Sequence, residues 1–258
     1  MPQVSIITPT YNCAEFIVQT IEAVLAQSFT DWEMIISDDC STDNTREVIA
    51  PYLAADSRIK YICNQRNSGA AVTRNNALKV ASGRWIAFLD SDDLWHPEKL
   101  ERQIAFMSQN GYAFSYTDYA VIDEQSQELG MRVTGPKRIT KAGMYAYCWM
   151  GCLTVMYDST VVGLVQIADI KKNNDYAMWL KVVRKADCHR LPELLAYYRK
   201  RGGSISNHGY LSLVGWHYRL FREAEGLGVV ASLLLTAVNL FFGVAKKLFY
   251  THKDNDRV

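Results

Sequence analysis

Residues 85–93 read Trp-Ile-Ala-Phe-Leu-Asp-Ser-Asp-Asp. The apolar run fits a short buried strand, and the chain passes from it straight into three carboxylates. Similar runs precede it. Residues 4–8 are apolar and end at Pro9, residues 33–37 lead directly into Asp38 and Asp39, and residues 59–63 form a further run. Between them apolar residues recur at helical spacing: Phe16, Ile17, Ile21, Val24 and Leu25, then Val48, Ile49, Tyr52 and Leu53, then residues 70–80. Ser41 or Asp43 is placed to cap the second of these helices. Gly83 follows the third, and Pro97 suits the first turn of a fourth that runs to about residue 109. Strand alternating with helix predicts an α/β fold, a mostly parallel sheet with helices on both faces. Ligands of such sheets bind beyond the carboxyl ends of the strands, where both acidic groups fall.

In an extended segment residues two apart point the same way, so Asp90 and Asp92 face one pocket and Asp93 turns elsewhere. Carboxylates are hard ligands suited to Mg²⁺ or Mn²⁺, although such a triplet standing alone is more often a solvated loop. Asp38 and Asp39 are placed to accept bonds from a nucleobase or a ribose. Tyr11 offers a ring for stacking on a base, with simple packing as the competing reading. Arg74 offers paired hydrogen bonds to a diphosphate, against the role of an ordinary helix arginine. Asp175 opens a helical stretch, residues 174–185. It suits a base near the metal site, but on the residues alone a charge favoured by the helix N-terminus explains it better.

Beyond Gly111 the pattern loosens. Residues 114–122 read as one or two strands, 125–143 as a polar loop, 153–157 and 193–199 as strands. Charge is nearly balanced, 28 basic against 27 acidic residues, which argues against a nucleic-acid partner. The six cysteines form no Cys-x-x-Cys pair and are read as reduced thiols of a cytosolic protein, and no secretion signal opens the chain.

The tail differs. Residues 227–245 carry no charge, Lys246 and Lys247 follow, and Arg219 and Arg222 precede. At about 1.5 Å per residue such a helix nearly crosses a bilayer core. Ser232, Thr236, Asn239 and Gly243 form one less apolar stripe, however, which favours a helix lying in the membrane surface over a span, with a buried core helix as the rival.

Six segments, in order, resemble the inverting glycosyltransferase family 2. They are Val-Ser-Ile-Ile-Thr-Pro-Thr-Tyr-Asn (4–12), Asp-Asp-Cys-Ser-Thr-Asp (38–43), Asn67-Ser68-Gly69 through Arg74-Asn75, Leu-Asp-Ser-Asp-Asp (89–93), Asn-Asp-Tyr-Ala-Met-Trp-Leu (174–180), and Tyr198-Arg199 with Ser204 and Ser206. The resemblance implies a GT-A fold. It implies a donor site formed by Pro9, Tyr11, Asp38, Asp39, Arg74, Asp90 and Ser91, with Mn²⁺ or Mg²⁺ on Asp92 and Asp90. It makes Asp175 the catalytic base and places the acceptor near Trp179 and Arg199. The implied donor is a UDP-hexose. The implied acceptor is a polyprenyl-diphosphate-linked glycan, at the cytoplasmic face of a bacterial inner membrane. Residues 1–206 would be catalytic, with a nucleotide-sugar half to about 110 and an acceptor half to 206, and residues 207–258 a helical membrane-associating tail. Cys40 stands where the family has Gly, which strains the loop if φ is positive there. Asn174 stands where it has an acid, which removes a like charge beside Asp175. A sugar nucleotidyltransferase and a non-catalytic membrane scaffold are the alternatives; the first should carry a Gly-rich basic loop where Thr10-Tyr11-Asn12-Cys13 stands.

Overall fold

The computed structural model describes residues 1–202 and 210–253. Its first half alternates as expected: β1 (Val4–Thr10), α1 (Ile17–Leu25), β2 (Trp32–Asp38), α2 (Thr45–Ala55), β3 (Ile59–Cys63), α3 (Ala70–Val80) and β4 (Trp85–Phe88). The order β3-β2-β1-β4 is parallel throughout. Alternate side chains of these strands leave on opposite faces. Ile7, Ile35, Ile86 and Phe88 join Ala77 and Leu78 of α3 in one apolar cluster. Ile6, Met34, Ile36 and Ala87 join Ile17, Ile21 and Ile49 of α1 and α2 in the other.

The chain continues through β5 (Leu94–Trp95), α4 (Lys99–Asn110), β6 (Phe114–Ile122), β7 (Glu128–Val133), β8 (Arg138–Ile139), α5 (Lys141–Ala146), β9 (Met156–Asp158), α6 (Ser159–Val162), α7 (Asn174–Val182) and β10 (Cys188–Arg199). β9 runs antiparallel between β4 and β6 and so joins the two halves into one mixed sheet. β10 lies parallel to β6. Residues 125–143, expected as a loop, instead hold β7, β8 and the start of α5. β7 is stabilised by distant partners, β6 on one side and the C-terminal β11 (Thr251–Lys253) on the other. The strand expected at 193–199 begins five residues earlier at Cys188, with Pro192 at a register shift where no ladder bond is needed. The strand expected at 153–157 opens as a 3₁₀ turn, Cys152–Thr154. Asp43, not Ser41, serves the start of α2: its carboxylate accepts from Thr45 N at 3.0 Å, whereas the Ser41 hydroxyl donates to Asp38. Ser204 and Ser206 lie outside the described residues.

After α8 (Tyr210–Arg219) and a π turn, α9 (Val229–Phe249) runs back over the protein with its polarity reversed. Ser232, Thr236 and Asn239 are buried, at 0%, 3% and 0% exposure, while Val230, Leu234, Phe241 and Leu248 stand 63–71% exposed. The helix is long and apolar enough to cross a membrane, yet its polar stripe is what it turns to the protein.

At the amino end of the sheet Glu33 ties the parallel strands together. It accepts from Ser5 Oγ (2.6 Å), Ser82 N (2.8 Å) and Lys60 Nζ (2.5 Å), and Gly83 N donates to Ser5 Oγ (2.8 Å). Burial pushes this carboxyl up, but the bonds from Lys60, Ser5 and Ser82 outweigh it and hold the group below its ordinary 4.5. The ionised form therefore contributes stability above that pH, and the contribution fades as the pH falls through the lowered value. Glu33→Gln should cost about 1–3 kcal/mol at pH 7. In denaturant titrations the gap between the two proteins should shrink as the pH is lowered towards the folded-state value, and a gap that persists unchanged in acid would refute this account.

Candidate active site

A cavity of about 700 Å³ opens at the carboxyl ends of β1, β2 and β4. Pro9 and Tyr11 form part of one wall, Asp39, Gly69 and Arg74 another, and residues 90–93 the floor. Asp175 and the 151–153 segment close the far side.

Each loop is held by its own bonds. Asn12, which has φ 46°, accepts from Thr42 N (2.7 Å), and its own N–H donates to Ser41 Oγ (2.9 Å), so the loops after β1 and β2 form one unit beside Tyr11. Asp39 accepts from Ser68 N (2.7 Å), Gly69 N (2.8 Å) and Asn64 Nδ2 (2.8 Å). It thereby anchors the loop that starts α3, with an edge toward the cavity. Asp38 is spent elsewhere, on Ser41 and on the Tyr61 hydroxyl (2.6 Å), and does not line the cavity. Cys40 has φ 64°, the left-handed conformation that the Gly at this position of the family would adopt freely.

The acidic segment is a turn and not an extended strand end: Asp93 N donates to Asp90 O at 3.1 Å. Thr20 Oγ1 donates to the carbonyls of Ser91 (3.0 Å) and Asp93 (2.9 Å), clamping it to α1. Asp90 and Asp92 both border the cavity, as expected, but so does Asp93, whose carboxylate also accepts from Arg199 N (2.9 Å). Burial raises the carboxyl of Asp92 above its ordinary value; Arg201 opposes the rise and Asp90 adds to it. Burial, with Asp92 and Asp90, drives Asp93 well up.

Two guanidiniums answer this charge. Arg74, buried, donates to Asp90 (2.6 Å) and to Asn174 (2.9 Å), and its Nε has no partner among the described residues. Burial works against its charge, and the nearby carboxylates of Asp90 and Asp175 more than offset that. Asn174, which replaces the family's acid, thus receives a bond from Arg74 and braces it against α7. Arg201 pairs with Asp92 at 2.8 Å and lies 32% exposed. It was not among the expected residues, because nothing local marks an arginine just past a strand end as a partner of Asp92, 109 positions earlier in the chain.

Asp175 sits in the first turn of α7, partly exposed, its Oδ1 accepting from Tyr176 N (2.8 Å). Two expected acceptor residues are elsewhere. Trp179 is fully buried, edge-on to Phe88 at 5.1 Å, because the apolar face of α7 turns it into the core. Arg199 is 1% exposed and braces the turn from behind, donating to Asp92 O (2.7 Å), Asp123 O (3.0 Å) and Gln19 (2.8 Å). Besides Tyr11, the aromatic residues that line the cavity are Tyr119 and Tyr198, 6.2 Å apart.

The donor set suits a hard divalent cation. Among the described residues no group of three or more His, Cys, Asp or Glu is arranged to hold a metal. Asp90 and Asp92 line the cavity as hard oxygen donors, of which Mg²⁺ at a nucleotide commonly takes one or two, and they pair with Arg74 and Arg201 respectively. The guanidinium of Arg74, which lines the same cavity and pairs with Asp90, supplies positive charge beside them.

The family model for glycosyl transferase family 2 matches residues 5–149. The chain belongs to that family. It is similar to the putative teichuronic acid biosynthesis glycosyltransferase TuaG of Bacillus subtilis, with 41% identity over 88% of this chain and 90% of the relative. It is also similar to WfgD of Escherichia coli, a UDP-Glc:alpha-D-GlcNAc-diphosphoundecaprenol beta-1,3-glucosyltransferase, with 39% identity over 81% and 82%. Among solved structures, TarS 1–349 of S. aureus in complex with UDP-GlcNAc superposes with a TM-score of 0.73 at 23% identity, covering 93% of this chain and 72% of that one. Mannosyltransferase PcManGT of Pyrobaculum calidifontis, in complex with GDP-Man and Mn²⁺, gives 0.65 at 15%, covering 95% and 75%. The fold is GT-A and the protein is a glycosyltransferase, which sets aside the nucleotidyltransferase and scaffold alternatives.

If Cys40 carries left-handed strain, Cys40→Gly should stabilise the protein by about 0.5–1 kcal/mol. Denaturant titration would read the gain, with UDP affinity unchanged; a destabilised Gly variant would contradict the strain.

Proposed function

We propose that this chain is a metal-dependent inverting hexosyltransferase that carries glucose from UDP-glucose to a GlcNAc-diphosphate-polyprenyl acceptor in surface-polysaccharide assembly. The observation that carries the reading is the meeting of Asp39, Asp90, Asp92, Arg74 and Asp175 around one cavity. WfgD, similar over most of both chains, supplies the donor and acceptor classes.

Tyr11 and Asp39 hold the nucleotide end, with Pro9 and Ser91 shaping the cleft. Asp90 and Asp92 hold Mn²⁺ or Mg²⁺, which when bound neutralises diphosphate charge as a Lewis acid. Arg74 and Arg201 donate to the diphosphate oxygens, stabilising the negative charge that grows as UDP departs. Arg201 is the more exchangeable of the two, since its side chain is 32% exposed whereas Arg74 is buried. Asp175 takes the proton of the acceptor hydroxyl, whose oxygen attacks the anomeric carbon from the face opposite the diphosphate. The new C–O bond forms as the bond to UDP breaks, through an oxocarbenium-like transition state, and the configuration inverts.

The acceptor's lipid requires a membrane surface, and α9 offers one side of the contact. An outward face of Leu, Val and Phe with Lys247 near its end suits the headgroup boundary, while Lys246 turns in over the Tyr147 ring. The buried stripe of Ser232, Thr236 and Asn239 keeps α9 against the protein, so it lies in the surface and does not cross it. On this reading the protein works at the cytoplasmic face of a bacterial inner membrane.

Calorimetry should find UDP binding with Mn²⁺ that collapses in EDTA and in Asp92→Ala. Asp175→Asn should keep that binding and lose transfer by about a hundredfold to ten-thousandfold. An active Asn variant would remove Asp175 from the role of base.

Leu234→Glu with Leu248→Glu should abolish co-sedimentation with anionic vesicles. Both side chains are exposed, so stability should move by no more than about 0.5 kcal/mol per site. Undiminished sedimentation would count against the α9 face.

A further inference from the structure

The buried stripe of α9 does more than fasten the helix. Ser232 and Thr236 return their hydroxyl bonds to nearby carbonyls of their own segment, Leu227 (3.4 Å) and Ser232 (2.7 Å). Asn239 reaches across. Its Nδ2 donates to the Tyr176 hydroxyl (2.9 Å) and to Tyr145 O (3.2 Å). The Tyr176 hydroxyl gives its own proton to Met144 O (2.6 Å), so toward Asn239 it accepts. That settles the orientation of the amide, because neither of its two partners has a proton to give its oxygen. The Asn239 oxygen is buried without a partner among the described residues, and an amide held this way is costly where leucine would pack freely.

What the amide grips is the residue after Asp175. The Tyr176 N–H donates to Asp175 Oδ1, and the Tyr176 ring is 2% exposed between α5 and α9. The Tyr176 hydroxyl is therefore one of the points that hold the first turn of α7, with the Arg74–Asn174 bond beside it. Farther along α9, Gly243 lets the helix approach Tyr147, since a Cβ there would stand 3.2 Å from its ring. Phe242 meets Trp149 edge-on at 5.9 Å, two residues before Gly151 of the cavity wall.

We propose that Asn239 is a positioning residue for Asp175, so that the helix presenting its apolar face to the membrane also sets the aim of the catalytic carboxylate. This rests on the reading of Asp175 as the base. Membrane contact along α9 and placement of the base are then parts of one rigid connection, α9 to Tyr176 to the first turn of α7.

The test uses the full chain with Asn239→Leu, Tyr176→Phe, the double variant, and Asp175→Asn beside them. Transfer is followed as UDP release from UDP-glucose with a synthetic GlcNAc-diphosphate-lipid in vesicles. UDP binding with Mn²⁺ and vesicle co-sedimentation are measured on the same proteins. Each single variant should lower kcat about tenfold. KM for UDP-glucose, UDP affinity and vesicle binding should stay within about twofold of the parent. The double variant should be no slower than the worse single, because both remove one connection. Wild-type kcat in both singles, additive losses, or losses that track UDP affinity would overturn the proposal. If Asp175→Asn transfers normally, the base assignment fails and the positioning role falls with it. If Asp175→Asn is dead while Asn239→Leu and Tyr176→Phe run at the parent rate, only the positioning role falls.

Discussion

Crowded negative charge at the carboxyl edge of the sheet governs this molecule. Asp90, Asp92 and Asp93 share one four-residue turn, and Asp39 and Asp175 border the same cavity. Carboxylates this close resist ionising together unless cations are brought to them. The chain brings three, each from a different place. Arg74 comes from α3, Arg199 from the end of β10, and Arg201 from just beyond it. They divide the work by burial. Arg199 is sealed behind the turn and shapes it, Arg74 is buried but faces the cavity, and Arg201 is partly solvated with one carboxylate partner. Positive charge around the turn is thus graded from buried to partly solvated.

That gradation explains what could be read in advance. Residues 59–63 and 70–80 fold just where apolar periodicity puts them, since one face of each meets a core built from neighbouring elements. The acidic groups stand at strand ends because chain direction in a parallel sheet leaves little choice. What escaped notice depends on distant partners. β7 is polar and half exposed, and its identity as a strand comes from β6 and from β11, more than a hundred residues later. Asp38 and Asp39 are adjacent in sequence and look alike, yet one is consumed by Ser41 and Tyr61 and the other borders the cavity. Trp179 and Arg199 sit inside conspicuous motifs and prove to be a core ring and a brace. A motif marks where a residue is constrained, and burial decides whether the constraint is chemical or mechanical.

The two departures from the family pattern illustrate how local changes are absorbed. Cys40 keeps a left-handed backbone that glycine would adopt without cost, held there by the Asp38–Ser41 bonds on one side and the Asp39 bonds on the other. Asn174 keeps the hydrogen bond to Arg74 without the charge. An acid there would compete with Asp90 for the guanidinium; the amide leaves Asp90 as its ionic partner.

The tail helix settles into the same logic from the other side. A helix of a soluble protein turns apolar residues inward, and α9 does the reverse over most of its length. Its inner stripe of Ser, Thr, Asn and Gly permits close approach to α5 and α7, as small residues do between helices in lipid. Its outer face would be an aggregation liability in water, since so large an exposed apolar surface calls for a partner. On the proposed reading a bilayer surface would supply that partner without asking the polar stripe to leave the protein. A spanning arrangement would strip Asn239 from Tyr176 and put its amide in hydrocarbon, at a cost of a few kcal/mol. The bonds that orient the helix therefore favour one membrane geometry over the other.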